Sequence, residues 1–199
     1  MDDYASKHKD SPTYEDIMAG ASQSTVRTDT PLITWVGVGW EGPLGGLLFA
    51  VDCEGKASDA KAIGTIEKVT EGPSLPGTGK TVFVSFIDGE GTGWLHKMIS
   101  IYAVRDGHIE EIWRHALYES DYFPGGDGEE SSFEVSHSDG STLQIEGEHR
   151  IYQLISDPEN GDDWNKTPKE IEKIHERYCY SQAKLTYLTC ADTDIQPSH

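Results

Sequence analysis

The stretch that decides the fold reads SLPGTGKTVFVSF (residues 74–86), and Ile87 continues its apolar end. Residues 81–87 are almost all β-branched or aromatic, which is typical of a strand rather than a helix. Apolar side chains alternate along this run and leave neither of its faces polar. We therefore expect a central strand that is covered on both sides.

The first half of this stretch resembles the phosphate loop of AAA-type ATPases, because Gly79, Lys80 and Thr81 match the end of that motif. The first glycine of the motif is absent, since Ser74 stands in its place. A phosphate loop also needs a helix directly after the Lys-Thr pair, because the helix N-terminus binds the phosphates. The strand-forming residues that follow exclude this helix. We therefore interpret the first half of residues 74–86 as a turn.

A second glycine motif, GVGWEG (residues 37–42), resembles the dinucleotide-binding fingerprint. Bulky Trp40 and acidic Glu41 stand where the phosphates would approach the backbone. No alternation of strands and helices follows to complete a dinucleotide-binding fold. We interpret this segment as a glycine-rich hairpin or irregular loop.

Strand-like runs separated by Gly and Asp fill most of the chain after residue 30. Asp-Gly turns within residues 104–108 and 137–141 predict two tight hairpins. The sequence therefore predicts a mainly β fold, an antiparallel meander built as a sandwich, a barrel or propeller-like sheets. Residues 1–30 are predicted to be a polar tail or linker, and residues 31–199 a single β-rich domain.

One C-terminal helix is predicted near residues 168–177. Thr167 is a candidate N-cap, Pro168 suits the first helical position, and Glu170 completes a capping box. Apolar residues follow at helical spacing.

The chain carries 35 acidic and 16 basic residues, a formal net charge of −19. Such a surface is repelled by nucleic-acid phosphates and anionic membranes, so neither is an expected partner. A partner protein with a basic surface is favoured. No run is long and apolar enough to predict a membrane span, and no signal peptide is recognisable.

The three cysteines match no zinc-binding spacing. Of the three pairings that one disulfide allows, Cys179 with Cys190 is the first expectation because they are close in sequence. We predict a secreted or periplasmic location, which suits a β-rich fold.

Two oxygen-rich loops are candidate calcium sites, so the predicted cofactor is either none or Ca²⁺. Neither loop is a complete EF-hand, since Ile99 stands where the first would need its last carboxylate. The candidate ligands are Asp88, Glu90, Asp157, Glu159, Asp162 and Asp163.

Aromatic side chains are the candidate interaction surface, because exposed indole rings bind proteins or sugars. The candidates are Trp40, Trp94, Trp113 and Trp164.

No motif for nucleophilic catalysis occurs in the sequence. Strand periodicity places Glu111, Trp113 and His115 on one face, with Asp88 or His96 nearby, as a candidate carboxylate–histidine site. The preferred function is a non-enzymatic acidic interaction protein: an inhibitor, an immunity-type protein or an adaptor. The alternatives are a calcium-stabilised secreted β module, including a carbohydrate-binding one, and a hydrolase that uses carboxylate and histidine groups.

Two substitutions test the interpretation of the opening stretch. We expect Lys80→Ala to change the free energy of unfolding by no more than about 0.5 kcal/mol, because a turn lysine ends in solvent. We expect Val84→Asp to unfold the protein, because it buries an unpaired carboxylate in a core strand. Chemical denaturation followed by circular dichroism measures both, and a folded Val84→Asp variant would contradict the interpretation.

Overall fold

The computed structural model describes residues 21–29, 32–40, 45–122, 127–137, 141–156 and 164–190. All regular elements in these segments are β-strands. In chain order they are β1 Ala21–Asp29, β2 Leu32–Trp40, β3 Gly46–Val51, β4 Ala57–Ile63, β5 Thr65–Leu75, β6 Gly79–Gly91, β7 Trp94–Arg105, β8 His108–Tyr122, β9 Asp127–His137, β10 Thr142–Ser156, β11 Trp164–Ser181 and β12 Thr186–Thr189. The prediction of a mainly β fold is confirmed.

The strands form two antiparallel sheets, each ordered as the chain runs. Strands β1 to β4 form the first sheet, and strands β5 to β12 form the second. Only Gly64 separates β4 from β5, at the step between the sheets. Every other strand pairs with its successor, so the predicted meander is confirmed.

The first sheet covers one face of strands β5 to β8. Trp35 and Leu48 from the first sheet lie in one core cluster with Val82, Val84 and Phe86 of β6. All five side chains are fully buried. This core holds the two sheets together by removing large apolar surfaces from water.

The later strands of the second sheet cover the opposite face of β6 to β8. Phe83 of β6 and Trp113 of β8 share a second core cluster with Leu143 and Ile145 of β10 and Tyr187 of β12. Strand β9 pairs with β8 only over residues 118–122, which lets the later strands turn back over this face. Strand β6 is therefore buried on both sides, as its sequence predicts.

Arg105 fixes the returning strands at one end. Its guanidinium donates to the carbonyl of Leu185 at 2.9 Å, to Thr78 Oγ1 at 3.1 Å and to the Tyr180 hydroxyl at 3.4 Å. Glu110 pairs with the same group at 3.0 Å. This one side chain thus joins the β5–β6 turn, β7, β8 and the β11–β12 hairpin.

Strand β1 lies inside the predicted tail of residues 1–30, so the folded part begins earlier than predicted. The Ser22 hydroxyl donates to the carbonyl of Ile66 on β5 at 3.1 Å. Ser24 Oγ accepts the amide N–H of Val69 at 2.9 Å. Polar side chains of β1 thus satisfy backbone groups at the edge of the second sheet. Residues 1–20 lie outside the described part of the chain.

The glycines of the fingerprint-like motif allow strand β2 to approach β5 closely. A β-carbon at Gly39 would lie 2.2 Å from the carbonyl oxygen of Ile66, and one at Gly37 would lie 2.6 Å from a methyl group of Val69. Both glycines therefore serve contact between the two sheets.

The predicted helix near residues 168–177 is wrong, because these residues belong to strand β11, which pairs with β10 over residues 142–156. The ladder shifts between Ile151 and Tyr152, whose partners are Glu170 and Pro168. Pro168 is tolerated beside this irregularity because proline cannot donate to a regular ladder. Long-range pairing has overridden a locally favourable helix start.

The predicted turns agree with the structure where it describes them. Asp106 and Gly107 both have positive φ, 49° and 83°, in the hairpin that joins β7 to β8. Strands β9 and β10 also form a hairpin, whose turn residues 138–140 lie outside the description. Lys80 stands in strand β6 and pairs with Glu71 at 2.9 Å, so no helix follows the phosphate-loop-like turn.

Cys179 and Cys190 form the predicted disulfide, which confirms that pairing. Cys53 is a free, exposed thiol in the turn between β3 and β4. The described residues contain no helix of the length and apolarity that crossing a membrane requires.

Gly39→Ala tests the close approach of β2 to β5. We expect it to lower the free energy of unfolding by about 3 kcal/mol, because the added methyl group overlaps the backbone of Ile66. The control is Gly55→Ala, where the φ of +81° is itself unfavourable for alanine but nothing lies within 4 Å of the added carbon. Urea denaturation measures both variants, and an equal or larger loss in the control would contradict the packing role.

Asp59→Asn tests a link between β4 and β8. The amide N–H of Ile109 donates to Asp59 Oδ2 at 2.7 Å. This bond, aided by one from Ala60, lowers the pKa of Asp59 below 3.8. A lowered pKa means that the ionised carboxylate stabilises the fold above its unfolded pKa, and that this stability is lost as pH falls through the folded pKa.

We therefore expect wild type to melt at a higher temperature than Asp59→Asn at neutral pH. The gap should shrink as pH falls below 3.8. Melting curves across this range measure it, and a gap that does not change with pH would contradict the link.

Candidate functional site

The structure separates the four candidate tryptophans. Trp94 is 39% exposed, whereas Trp113 is 6% exposed and belongs to the second core. Trp40 is half-buried at the end of β2. The side chain of Trp164 lies outside the description, although its backbone begins β11. Trp94 is thus the exposed indole among the three described candidates.

Two glycines hold the Trp94 ring in place. A β-carbon at Gly91 would lie 2.2 Å from the indole nitrogen, and one at Gly89 would lie 2.6 Å from the six-membered ring. The ring of His96 meets the indole edge-on, with 5.2 Å between ring centroids. Trp94 thus packs against the backbone of β6 and the ring of His96 while part of its indole stays exposed.

A groove of about 500 Å³ runs beside Trp94. Gly45, Gly64 and Thr65 bound it near the junction of the two sheets, and residues 87–90 of β6 bound it on the other side. Asp88 is the extra residue where the ladder between β6 and β7 shifts, between Ile87 and Gly89. Asp88, Glu90 and Trp94 are therefore among the residues that line this groove. The Trp94 ring lies over Gly89 and Gly91, whereas Glu90 pairs with Leu95 and projects from the opposite face of the hairpin.

The two carboxylates differ in their partners. Asp88 Oδ2 lies 3.6 Å from an Arg114 guanidinium nitrogen. No described residue forms an ion pair with Glu90. Burial works against the charge of Arg114, but its hydrogen bond and ion pair with Glu111 raise the pKa of Arg114 above its ordinary value. Glu90 is therefore the lining carboxylate for which no ion pair is described, whereas Asp88 shares Arg114 with Glu111.

The described residues contain no group of three His, Cys, Asp or Glu side chains placed to hold a metal ion. Asp88 and Glu90 consequently have no third protein ligand in that part of the chain. The second candidate loop, with Asp157, Glu159 and its neighbours Asp162 and Asp163, lies outside the description. Calcium binding there stays a prediction.

The predicted shared face of Glu111, Trp113 and His115 is wrong. Ile101 pairs with Trp113 but its neighbour Tyr102 pairs with Glu111, so one extra residue interrupts β8 between them. This β-bulge turns Glu111 towards the first core, while Trp113 belongs to the second.

Glu111 is occupied by polar neighbours on its own face. It accepts hydrogen bonds from Ser100 Oγ at 2.9 Å and from Arg114 Nε at 2.7 Å. The Tyr102 hydroxyl lies 3.5 Å from its other oxygen. Burial, and then the charge of Glu111, raise the pKa of Tyr102 to about 12. Glu111 is therefore the centre of a structural network that also reaches Asp88 through Arg114.

His115 links β8 to β11. Its Nδ1 lies 2.7 Å from the Ala116 carbonyl oxygen, and its Nε2 lies 3.2 Å from Glu176 Oε2. Tyr178 donates to the same carboxylate at 2.7 Å. Burial, followed by that bond, raises the pKa of Tyr178 to about 12. Both ring nitrogens of His115 are thus engaged within the protein, which does not favour a role as a general base.

A second groove, of about 450 Å³, lies over β9, β10 and β11. Glu134, Glu146, Glu148, Lys173 and His175 are among its lining residues. Lys173 and Arg150 both form ion pairs with Glu148. These two basic side chains already offset part of the negative charge of the groove. The second groove is therefore a weaker candidate than the one beside Trp94.

Sequence reasoning named Trp94, Asp88 and Glu90 separately, but it assigned the carboxylates to calcium and missed their shared groove. The signal lay in the spacing of Gly89 and Gly91, which leaves room for the indole directly across the hairpin. An exposed indole beside carboxylates suits cations and polar rings. No protein-family model, curated protein or solved structure matches this chain.

Proposed function

We propose that this chain is a non-enzymatic acidic interaction protein that binds a partner protein through that partner's basic surface. The Trp94 groove is the proposed contact. The observation that carries the proposal is an exposed indole that packs against the backbone of β6 beside a groove, with Asp88 and Glu90 among the groove's lining residues. Buried aromatic anchors surrounded by polar groups supply most of the binding energy in many protein interfaces.

The overall charge supports the same class of partner. A net charge of −19 attracts basic surfaces at long range and accelerates encounter with them at low ionic strength. The candidate carboxylate–histidine pair does not support the hydrolase alternative. Glu111 and His115 lie on opposite faces of β8, and both are hydrogen-bonded within the protein.

The Cys179–Cys190 disulfide supports an oxidising compartment, so a secreted or periplasmic location remains our proposal. An exposed indole beside a groove also suits stacking on a sugar ring. A carbohydrate-binding secreted module is therefore the second candidate function, and the test below separates the two.

The test is comparative affinity capture from native-host extract, with co-purifying proteins identified by mass spectrometry. Wild type is compared with Trp94→Ala and with Leu188→Ala, a control that removes an apolar side chain of similar exposure, 40%. We expect wild type and the control to retain a basic protein. Trp94→Ala should bind the purified partner about 30-fold more weakly, in keeping with about 2 kcal/mol for an interface anchor.

High salt should release the partner, because exposed charges are screened. Equal capture by wild type and Trp94→Ala would contradict the proposal. Binding to a glycan panel that is lost in Trp94→Ala and insensitive to salt would favour the carbohydrate alternative instead.

A further inference from the structure

The first sheet has an apolar face that points away from the second sheet. Burial alternates along β2 and β3, because every second side chain points into the first core and the others point away from it. The side chains that point away are partly exposed, and neither core cluster of the described chain includes them. We call this surface the outer face. Its centre is formed by Val36, Val38, Leu47, Phe49, Ala60 and Ala62.

The strand register joins these side chains into one surface. Val36 stands opposite Phe49, and Phe49 stands opposite Ala60 on the next strand. Val38 stands opposite Leu47 in the neighbouring row. Side chains directly opposite each other on antiparallel strands lie on the same face and interact. The outer-face positions of β2 and β3 carry no charged residue, in a chain of which 26% is charged.

This pattern differs from that of a strand with one face in water, which alternates apolar and polar residues. Strand β10 follows the ordinary rule near its start, where buried Leu143 and Ile145 alternate with exposed Gln144 and Glu146. Strands β2 and β3 instead carry apolar residues on both faces, as β6 does. Strand β6 is covered on both sides, whereas no core cluster of the described chain covers the outer face. A contiguous apolar surface of this kind marks an interaction site.

The rest of the chain does not supply a matching cover. Residues 1–20 are the longest segment outside the description, and they carry seven charged side chains and no sustained apolar run. Covering an uncharged face with them would take these charges out of water without partners. The other segments outside the description have at most nine residues each.

The outer face has the size of a protein interface. With about 4.8 Å between strands and about 3.3 Å per residue, four strands of about seven residues cover roughly 450 Å² in flat projection. Side chains and the rim add accessible area beyond this projection, towards the roughly 800 Å² that a stable interface buries on each partner. Arg27 and Asp29 of β1 stand at one end of the face, where a polar rim is usual.

A second copy of the chain matches this surface. It presents the same uncharged centre, so neither copy buries an unpaired charge. A basic partner surface would bury its charges here without a carboxylate on the outer face of β2 or β3 to pair with. We propose that two copies of the chain pair through the outer face, sheet against sheet, so that β2 and β3 are covered on both sides. This interface is independent of the Trp94 groove.

The test is sedimentation velocity of the full chain between about 1 and 100 μM, a range in which a dimer of moderate affinity dissociates. We expect wild type to change from monomer to dimer as its concentration rises. Added salt should strengthen the dimer, because it screens the repulsion between two copies that each carry a net charge of −19. Salt should have the opposite effect on the partner captured by the Trp94 groove.

Val36→Lys should weaken the dimer at least about 100-fold, because a two-fold interface would bury two unpaired ammonium groups. The added lysine lowers the net negative charge, so stronger repulsion between copies cannot account for the loss. Ile171→Lys is the matched control, because it adds the same charge at an apolar side chain of β11 that is 55% exposed. It should leave the dimer unchanged. Val36→Thr keeps the β-branched shape and should weaken the dimer about 10-fold.

Circular dichroism establishes whether each variant is folded. Three outcomes would overturn the proposal: a wild type that stays monomeric throughout, a folded Val36→Lys that dimerises like wild type, or loss of the dimer in Ile171→Lys. If Val36→Lys does not fold, Val36→Thr decides, and an unchanged dimer would count against the outer face. A full chain that stays monomeric while a chain lacking residues 1–20 dimerises would assign the face to that segment and overturn the second copy.

Discussion

Strand β6 has to be covered on both faces, and the rest of the structure follows from this requirement. Val84 and Phe83 point to opposite sides of the strand, and both are buried. One sheet alone supplies only one cover. The four-stranded sheet therefore packs on one face, and strands β9 to β12 return over the other. Removing both apolar faces from water is the dominant favourable contribution here.

The candidate site lies where this double cover ends. Towards its C-terminal end, β6 changes from buried residues to the exposed Asp88 and Glu90. Gly64, at the step between the two sheets, leaves the side of the groove open next to them. Because the cover on β6 ends here, a solvent-facing recess remains at the C-terminal end of this strand. Trp94 lies beside the recess, across the hairpin that joins β6 to β7.

Two strand irregularities decide which side chains can cooperate. The extra residue Asp88 in β6 brings its carboxylate towards Arg114. The extra residue in β8 places Glu111 in the same network and directs Trp113 into the second core, with the His115 ring stacked beside it. A shift of one residue reverses the face of every side chain that follows, so these bulges separate a polar network from an aromatic core.

Much of the fold was predictable, but little of the site was. The buried strand, the hairpins and the disulfide partners Cys179 and Cys190 are marked by short-range patterns. The order of the strands followed from the same patterns, since a meander pairs neighbours in the chain. The site required knowledge of bulges, because strict alternation placed Glu111 and His115 on one face. Sequence periodicity does not indicate where a ladder gains an extra residue.

The sequence by itself determined the β character of the chain, the burial of β6 on both faces and the strong negative charge, because each depends on residue type and local spacing. Only the tertiary structure decided that residues 168–177 form a strand, since pairing along β10 outweighs a local capping box. It also decided which tryptophan is exposed. Trp94 and Trp113 are each followed two residues later by a histidine, and their burial depends on whether a distant strand returns to cover them.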